Sequence, residues 1–180
     1  MIYVFIANGF EEVEALTPVN LLRRCELDVV TVGIDSQVVK GSHGISVLTD
    51  IDDKQVTLND SVDMIVLPGG MPGTLNLENN STVQNAIDFC VKNNKYIAAI
   101  CAAPSILGHK NLLNGKNATC FPGFEEQLLG AKYSEDLVIV DEKIITAKGA
   151  GAAMKFSLKL CEIMTSKERA KTLEESLQCN

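Results

Sequence analysis

The sequence predicts an α/β domain whose doubly wound, mostly parallel sheet carries helices on both faces. Two apolar runs, 2–7 and 97–101, are continuous rather than alternating, as expected of strands that are buried on both faces. Helix-like segments separate the successive runs, a pattern that indicates βαβ units with right-handed crossovers. The 180-residue length suits one hydrophobic core and is short for two. We therefore expect a single domain over residues 1–180.

The composition narrows the classes of partner. Hydrophobic residues make up 46% of the chain and charged residues 22%, and no apolar run approaches the ~20 residues of a membrane span. The net charge is -7 and the lysines are scattered, which argues against nucleic acid as a partner. Met1 leads directly into a strand-like run rather than a signal peptide. We expect a cytoplasmic protein that binds neither membrane nor nucleic acid.

The six cysteines are expected to be free thiols in a reducing cytosol. They include no C-x-x-C pair and have no histidine at ligand spacing, so neither a metal site nor a disulfide framework is predicted. An acidic cluster of Asp50, Asp52 and Asp53 is interpreted as a solvated turn rather than as a metal site. No metal and no cofactor are expected.

The first part of the chain predicts one βαβ unit and a short hairpin. Three glutamates follow the first strand: Glu11, Glu12 and Glu14. Pro18 is expected to start or kink the next helix rather than lie inside it without effect, because proline has no backbone N–H. A second strand over 27–34 completes the unit, and two strand-like pieces flank a turn within 38–50.

The next predicted strand, 62–67, ends in Pro68-Gly69-Gly70. Paired glycines at the end of a parallel strand permit backbone conformations closed to other residues and let a ligand approach their amides, although a plain tight turn has the same signature. Ser81 is expected to cap a helix whose buried face includes Cys90.

The segment 95–107, K-Y-I-A-A-I-C-A-A-P-S-I-L, predicts a strand that ends on Cys101 and turns sharply into a helix. Pro104 suits the first turn of that helix, and small residues on both sides of Cys101 allow a tight corner. Unpaired N–H groups and the positive end of a helix dipole favour the thiolate at such a corner. A buried core cysteine is the alternative, because free cysteine is among the most buried residue types.

The remainder of the chain alternates short strands, loops and helices. The predicted elements are a helix to about Leu113, a strand over 116–119, a loop over 120–123, a hairpin of 137–141 and 143–147, a helix that begins near Gly149 and Gly151, and a charged helix over 167–177. Ligands bind at the carboxyl ends of parallel strands. The glutamates, the paired glycines and Cys101 are therefore expected to meet at one edge of the sheet.

Four motifs resemble the ThiJ/PfpI superfamily, in the branch that contains the parkinsonism-linked protein deglycase and its bacterial relatives. They are G-F-E-E-V-E-A, L-P-G-G, A-A-I-C-A-A-P and K-G-A-G-A-A, in family order and spacing over nearly the whole chain. The resemblance implies a flavodoxin-like sandwich, related to class I glutamine amidotransferases, and usually a homodimer. It also implies Cys101 as the reactive thiol, Glu14 as its carboxyl partner, and the amides of Gly70 and Ala102 as an oxyanion site.

Departures from the family pattern mark further candidate positions. Protease-type members place a histidine directly after the nucleophile, where this chain has Ala102, so the peptidase interpretation lacks its base. Some members of the deglycase branch have a histidine where this chain has Phe121 and an arginine where it has His43. Together with Gly69, these two are candidate substrate-binding residues, with a solvated turn as the alternative for His43. Two arginines either reach toward the partner's site or are solvated: Arg23 and Arg24.

Two classes of function are consistent with these residues. The first is a cofactor-free glyoxalase or protein deglycase, in which Cys101 attacks the aldehyde of methylglyoxal or a glycated adduct and Glu14 moves protons. The second is an oxidative-stress sensor or chaperone, in which the same thiolate is oxidised to sulfinate without turnover. A glutamine amidotransferase-like amidase is a weaker third interpretation, because no histidine follows His109. Spacing does not separate the first two, since both need an accessible thiolate.

Overall fold

Strands and helices alternate along the computed structural model, which describes residues 1–179. The strands are β1 (Ile2–Ile6), β2 (Val29–Gly33), β3 (Val38–Lys40), β4 (Ser46–Leu48), β5 (Ile51–Asp52), β6 (Met64–Leu67), β7 (Tyr96–Ile100), β8 (Asn117–Ala118), β9 (Lys132–Tyr133), β10 (Val138–Asp141) and β11 (Ile144–Ala147). The helices are α1 (Glu12–Arg24), α2 (Gly73–Asn79), α3 (Ser81–Lys92), α4 (Pro104–His109), α5 (Ala153–Met164) and α6 (Lys167–Ser176). No helix within this range is long and apolar enough to cross a membrane.

The central sheet has the strand order β10-β11-β7-β6-β1-β2-β5. Neighbouring strands pair in parallel, except for the antiparallel hairpin of β10 and β11 at one edge. The chain winds outward from β1 in both directions, first to β2 and then to β6 and β7. The expected doubly wound, mostly parallel sheet is confirmed. Such a reversal next to β1 opens a crevice at the carboxyl ends of the strands, where ligands bind in this architecture.

Two hydrophobic layers cover the two faces of the sheet. Successive residues of β1 point alternately into them: Val4 and Ile6 join the layer of α1, α5 and α6, whereas Phe5 joins the layer of α2, α3 and α4. Both faces are therefore buried, which explains why the run is apolar throughout. Each fully buried large side chain stabilises the fold by about 1.5–3 kcal/mol. Cys90 is fully buried on α3, as predicted.

The first helix begins earlier than its proline suggested. Helix α1 starts at Glu12, and Pro18 lies inside it. The carboxylate of Glu11 caps the helix by accepting a hydrogen bond of 2.8 Å from the N–H of Glu14. This cap and the acidic first turn stabilise a start upstream of the proline. Pro18 therefore does not start the helix, which was one of its two predicted effects.

Other helix boundaries also differ from the predictions. Asn80, rather than Ser81, caps α3, and its side chain accepts a hydrogen bond of 3.0 Å from the N–H of Val83. Helix α2 was not predicted, because its Pro-Gly start has the signature of a turn. Helix α4 ends at His109 rather than near residue 113, since Asn111 has a left-handed backbone with φ of 57°.

Two of the three clustered aspartates, Asp50 and Asp53, make hydrogen bonds to other parts of the chain. Asp50 accepts a hydrogen bond of 2.8 Å from the N–H of Thr31. The buried Asp53 accepts one of 2.8 Å from the side chain of Asn80, and so ties the turn after β5 to the start of α3. These carboxylates hold neighbouring elements together.

Candidate functional site

Cys101 lies at the corner where β7 turns toward α4. Its backbone N–H donates to the carbonyl of Ala147 at 2.9 Å, and its carbonyl accepts from the N–H of Phe121 at 2.8 Å. The φ angle of Cys101 is 66°, in the left-handed region that residues with a Cβ rarely adopt. Its side chain is partly exposed. Four other cysteines are buried, namely Cys25, Cys90, Cys120 and Cys161. The tight corner matches the predicted one, and Cys101 is not a fully buried core residue.

Glu14 reaches the thiol from the first turn of α1. The residue is 1% exposed, and its carboxyl group contacts the thiol of Cys101. It accepts a hydrogen bond of 3.1 Å from the N–H of Gly69, and the backbone N–H of Ala150 also acts to lower its pKa. Burial raises the pKa of Glu14 to about 7, with help from the charge of Glu11, because these hydrogen bonds offset it only in part. Near neutral pH this carboxyl group can therefore both accept and donate a proton.

The thiol of Cys101 is not a free thiolate while Glu14 is ionised. Burial raises the pKa of Cys101 to about 12, and the charge of Glu14 and its hydrogen bond to the thiol act in the same direction. The amide N–H groups of Gly70 and Ala102 point toward the sulfur and oppose the rise. These amides act in the direction that the sequence predicted, but burial and Glu14 outweigh them. The charge of Glu14 disappears when Glu14 is protonated, which removes one of the effects that raise the pKa of Cys101.

The paired glycines are required by the close approach of these groups. A Cβ atom on Gly69 would lie 2.5 Å from Oε2 of Glu14 and 2.6 Å from Cβ of Cys101. Gly70 has a φ of 90°, and a side chain there would collide with the backbone of Glu11. Gly69 thus leaves room for the carboxyl and thiol groups to meet. Gly70 adopts a backbone conformation that directs its amide toward the sulfur.

Phe121 forms a wall beside the carboxyl group. Its side chain is 47% exposed, and a Cβ atom on Gly149 would lie 3.1 Å from Cδ2 of Phe121 and 3.8 Å from Oε1 of Glu14. The sequence predicts a helix start near Gly149 and places Gly149 and Ala150 in a family motif, but does not indicate that they lie at the site. The signal that could have found them is the one used for Gly69, because small residues again follow the carboxyl end of a parallel strand, here β11.

His43 meets Glu12 rather than Glu14. Its ring Nδ1 lies 2.9 Å from Oε2 of Glu12, and its backbone N–H donates to Oε1 at 2.9 Å. Burial alone would raise the pKa of Glu12, but hydrogen bonds from the ring and from backbone N–H groups lower it to about 2. The ring is 71% exposed, as a solvated turn histidine would be, yet it has a buried partner. Ligand-type atoms of Glu11, Glu12 and His43 lie within 4.8 Å of one another, a grouping that the sequence did not indicate.

The two arginines at the end of α1 have partners within their own chain. Arg23 lies 2.5 Å from a carboxylate oxygen of Asp50, and Arg24 donates to the side chain of Asn20 at 2.9 Å. Both guanidinium groups remain near the surface of α1. The structure thus brings six of the predicted site residues together around one corner: Cys101, Glu14, Gly69, Gly70, Ala102 and Phe121. His43 contacts Glu12 instead.

Comparison with known proteins gives a consistent family. The model of the DJ-1/PfpI family matches residues 1–163. Protein DJ-1 homolog B of Arabidopsis thaliana is 39% identical over 169 residues, which cover 92% of this chain and 38% of that protein. The chain spans only about two-fifths of the length of the two Arabidopsis relatives that it matches. A protein of Schizosaccharomyces pombe named glutathione-independent glyoxalase DJ-1 is 32% identical over 184 residues, covering 97% and 96% of the two chains.

Solved structures agree with the sequence relatives. The oxidised form of Toxoplasma gondii DJ-1 superposes with a TM-score of 0.93 at 34% sequence identity, covering 98% of this chain and 97% of that one. Agreement at this level over almost the whole chain confirms the flavodoxin-like fold that the motifs implied. From the family match and these relatives together, the chain belongs to the DJ-1/PfpI family.

Proposed function

We propose that this chain is a cysteine-dependent, cofactor-free enzyme of the glyoxalase or deglycase type. Its substrate would be a small reactive dicarbonyl, such as methylglyoxal, or the adduct that such a compound forms on another molecule. One observation carries the proposal: the thiol of Cys101 contacts a carboxyl group whose pKa is about 7, while two backbone amides point at the sulfur. The name of the Schizosaccharomyces pombe relative supports the same chemistry.

In the proposed first step, Sγ of Cys101 attacks the aldehyde carbon as the thiol proton moves to the ionised Glu14. A carboxyl group with a pKa of about 7 suits this transfer near neutral pH. The carbonyl oxygen becomes an alkoxide, which the amides of Gly70 and Ala102 stabilise because they already face the reacting sulfur. Glu14 then returns the proton to the alkoxide, and the product is a thiohemiacetal.

In the proposed second step, Glu14 removes the hydrogen from the former aldehyde carbon, and the resulting enediol is reprotonated at the neighbouring carbon. The aldehyde carbon is thereby oxidised to a thioester while the ketone carbon is reduced to an alcohol, so no external oxidant is needed. Water cleaves the thioester and regenerates the thiol of Cys101. Methylglyoxal would leave as lactate.

The first test is lactate formation from methylglyoxal without glutathione. The wild type and a Cys179→Ser control should turn over, because Cys179 is the other partly exposed thiol and lies outside the site. Cys101→Ser should fall to the background rate. A silent wild type, or turnover that survives Cys101→Ser, would rule out the proposed enzyme.

A second candidate function is redox sensing through sulfinate formation at Cys101. The similarity to an oxidised Toxoplasma gondii DJ-1 favours considering it. The amides of Gly70 and Ala102 and a protonated Glu14 would donate hydrogen bonds to sulfinate oxygens. Intact-mass analysis after peroxide treatment distinguishes the two functions. Addition of two oxygen atoms at Cys101 in a protein without turnover supports the sensor.

The family resemblance also implies a homodimer, which we propose to form through α1. Two apolar side chains of this helix are exposed, Val13 at 48% and Leu16 at 37%. They line a groove of about 400 Å³ together with Met154 and Leu177. Light scattering of the wild type and of Leu16→Glu would test this, since a charge in an apolar interface should yield monomers.

We also propose a cytoplasmic location, where thiols stay reduced.

A further inference from the structure

The loop over residues 7–11, here named the entry loop, carries the chain from β1 to the first turn of α1. On one side it binds the turn over residues 68–73 that follows β6, here named the glycine turn. The N–H of Glu11 donates to the carbonyl of Gly69 at 3.0 Å, and the N–H of Gly73 donates to the carbonyl of Gly9 at 3.2 Å. The position of the entry loop therefore fixes both the start of α1, which carries Glu14, and the turn that carries Gly70.

On its other side the entry loop binds the turn of the β3–β4 hairpin. The N–H of Gly9 donates to the carbonyl of Lys40 at 2.8 Å, and the N–H of Ser42 donates to the carbonyl of Phe10 at 2.8 Å. The hairpin turn, the entry loop and the glycine turn are thus held together in that order. A hairpin turn that moves away would remove one of the two supports of the entry loop.

Glu12 and His43 close the hairpin turn onto α1. The carboxylate of Glu12, in a residue that is 6% exposed, accepts hydrogen bonds from the backbone N–H and the ring of His43. Gly41 packs so closely on this carboxylate that any side chain there would collide with it. The charged groups that act on the ring are Glu12, in the first turn of α1, and Glu11, at its N-cap.

We propose that His43 is a positioning residue whose protonated ring, paired with Glu12, holds the hairpin turn against the entry loop and so keeps Glu14 and Gly70 aligned with Cys101. The neutral ring keeps a hydrogen bond through Nδ1 but loses the attraction between opposite charges. The site is accordingly better ordered when His43 is protonated. The effect on turnover rests on the proposed function, whereas the effect on the backbone does not.

The direction of the pH dependence follows from the two groups. The hydrogen bond with Glu12, and then its negative charge, raise the pKa of His43 above its ordinary value of 6.5. Glu12 stays ionised down to a pH of about 2. A group whose pKa is raised by folding stabilises the folded state below its unfolded pKa, and the stabilisation is lost as the pH rises through the folded pKa. The pair is therefore complete in mildly acidic solution and weakens in alkaline solution.

Amide hydrogen exchange of Gly9 and Ser42, whose N–H groups bridge the hairpin turn and the entry loop, tests the proposal without any substrate. His43→Ala should speed this exchange roughly three- to tenfold at about pH 6 and less than about twofold at about pH 9. His43→Lys, which keeps a positive charge, should retain protection at both pH values. His109→Ala is the matched control, because His109 also pairs with a glutamate, Glu78, at 2.5 Å.

The proposal would be overturned if the ratio of the exchange rate in His43→Ala to that in the wild type stayed constant with pH. A merely structural role of the ring would give that result. Unchanged exchange in His43→Ala would overturn it as well. Turnover of methylglyoxal by His43→Ala should fall by about the same factor as protection and show the same pH dependence. If the wild type has no turnover, the proposed function fails, and the exchange ratios still decide the role of His43.

Discussion

Two carboxyl groups in the first turn of α1 are both buried, yet their pKa values move in opposite directions. The pKa of Glu12 is lowered to about 2, and that of Glu14 is raised to about 7. Burial raises both, so depth does not explain the difference. Glu12 faces the ring and backbone N–H groups of the hairpin turn, whereas Glu14 faces a thiol and the charge of Glu11. Hydrogen-bond donors on each side of the helix decide which carboxylate is structural and which can exchange a proton.

The largest effect is expected when each of the two glutamates, Glu14 and Glu12, is replaced by glutamine, because only Glu14 is proposed to exchange a proton. Glu14→Gln should lower kcat/KM for methylglyoxal by about 10²–10⁴-fold, the usual contribution of general acid–base catalysis, because an amide neither accepts nor donates the required proton. Glu12→Gln should lower it by less than about tenfold, since it acts only through position. Steady-state kinetics of both variants check this. Equal losses would contradict the division of roles.

The next effect concerns the free energy of unfolding. In the unfolded chain Glu14 ionises near its ordinary value of 4.5, whereas in the folded chain its pKa is about 7. A raised carboxyl pKa favours folding at low pH and opposes it as the pH rises between these values. Glu14→Gln should therefore gain up to about 3 kcal/mol over the wild type between about pH 4 and pH 9. Urea denaturation at both pH values measures this, and a constant difference would contradict the raised pKa.

A third change tests the contact between the two sides of the site. Gly69→Ala would bring its Cβ against Glu14 and Cys101, and we expect a loss of about 10²-fold in turnover from the resulting displacement. Gly151→Ala is the control, because open space surrounds that position. Kinetics and circular dichroism of both variants distinguish a displaced site from an unfolded protein. Full activity in Gly69→Ala would show that close packing at this position is unnecessary.

The smallest expected effect is on the ring of His43. Glu12→Gln removes the charge that helps to raise the pKa of His43, so this pKa should fall toward its ordinary value. The chain has two histidines, and NMR titration with His109→Ala assigns their signals directly. No change in the titration of His43 would mean that the ion pair with Glu12 does not form in solution.

Much of the fold could be predicted from the sequence because the local sequence patterns agreed with one another. The apolar runs located the core strands, and Pro104 together with the small residues around Cys101 located the corner. The rule that ligands bind at the carboxyl ends of parallel strands predicted that Glu14, Gly69 and Cys101 would lie at the same edge of the sheet. These inferences depend on period, chain direction and residue size, which a sequence contains.

Features that depend on contacts between segments distant in the sequence could not be predicted from it. The pairing of Glu12 with His43 joins α1 to a hairpin that follows it in the chain, and no spacing rule predicts it. The raised pKa of Cys101 has the same origin, because Glu14 and burial outweigh the local amides. The start of α1 upstream of Pro18 also depends on such a contact, the capping hydrogen bond between Glu11 and the N–H of Glu14.

The left-handed backbone of Cys101 has a consequence for engineering. A residue with a Cβ held at this φ costs the fold on the order of 1–3 kcal/mol, a cost that glycine largely avoids. The position that carries the reactive sulfur is thus one at which substitution by glycine is expected to raise heat resistance. A library of variants selected only for thermal survival would therefore enrich Cys101→Gly, and directed evolution of this protein should select for turnover before it selects for stability.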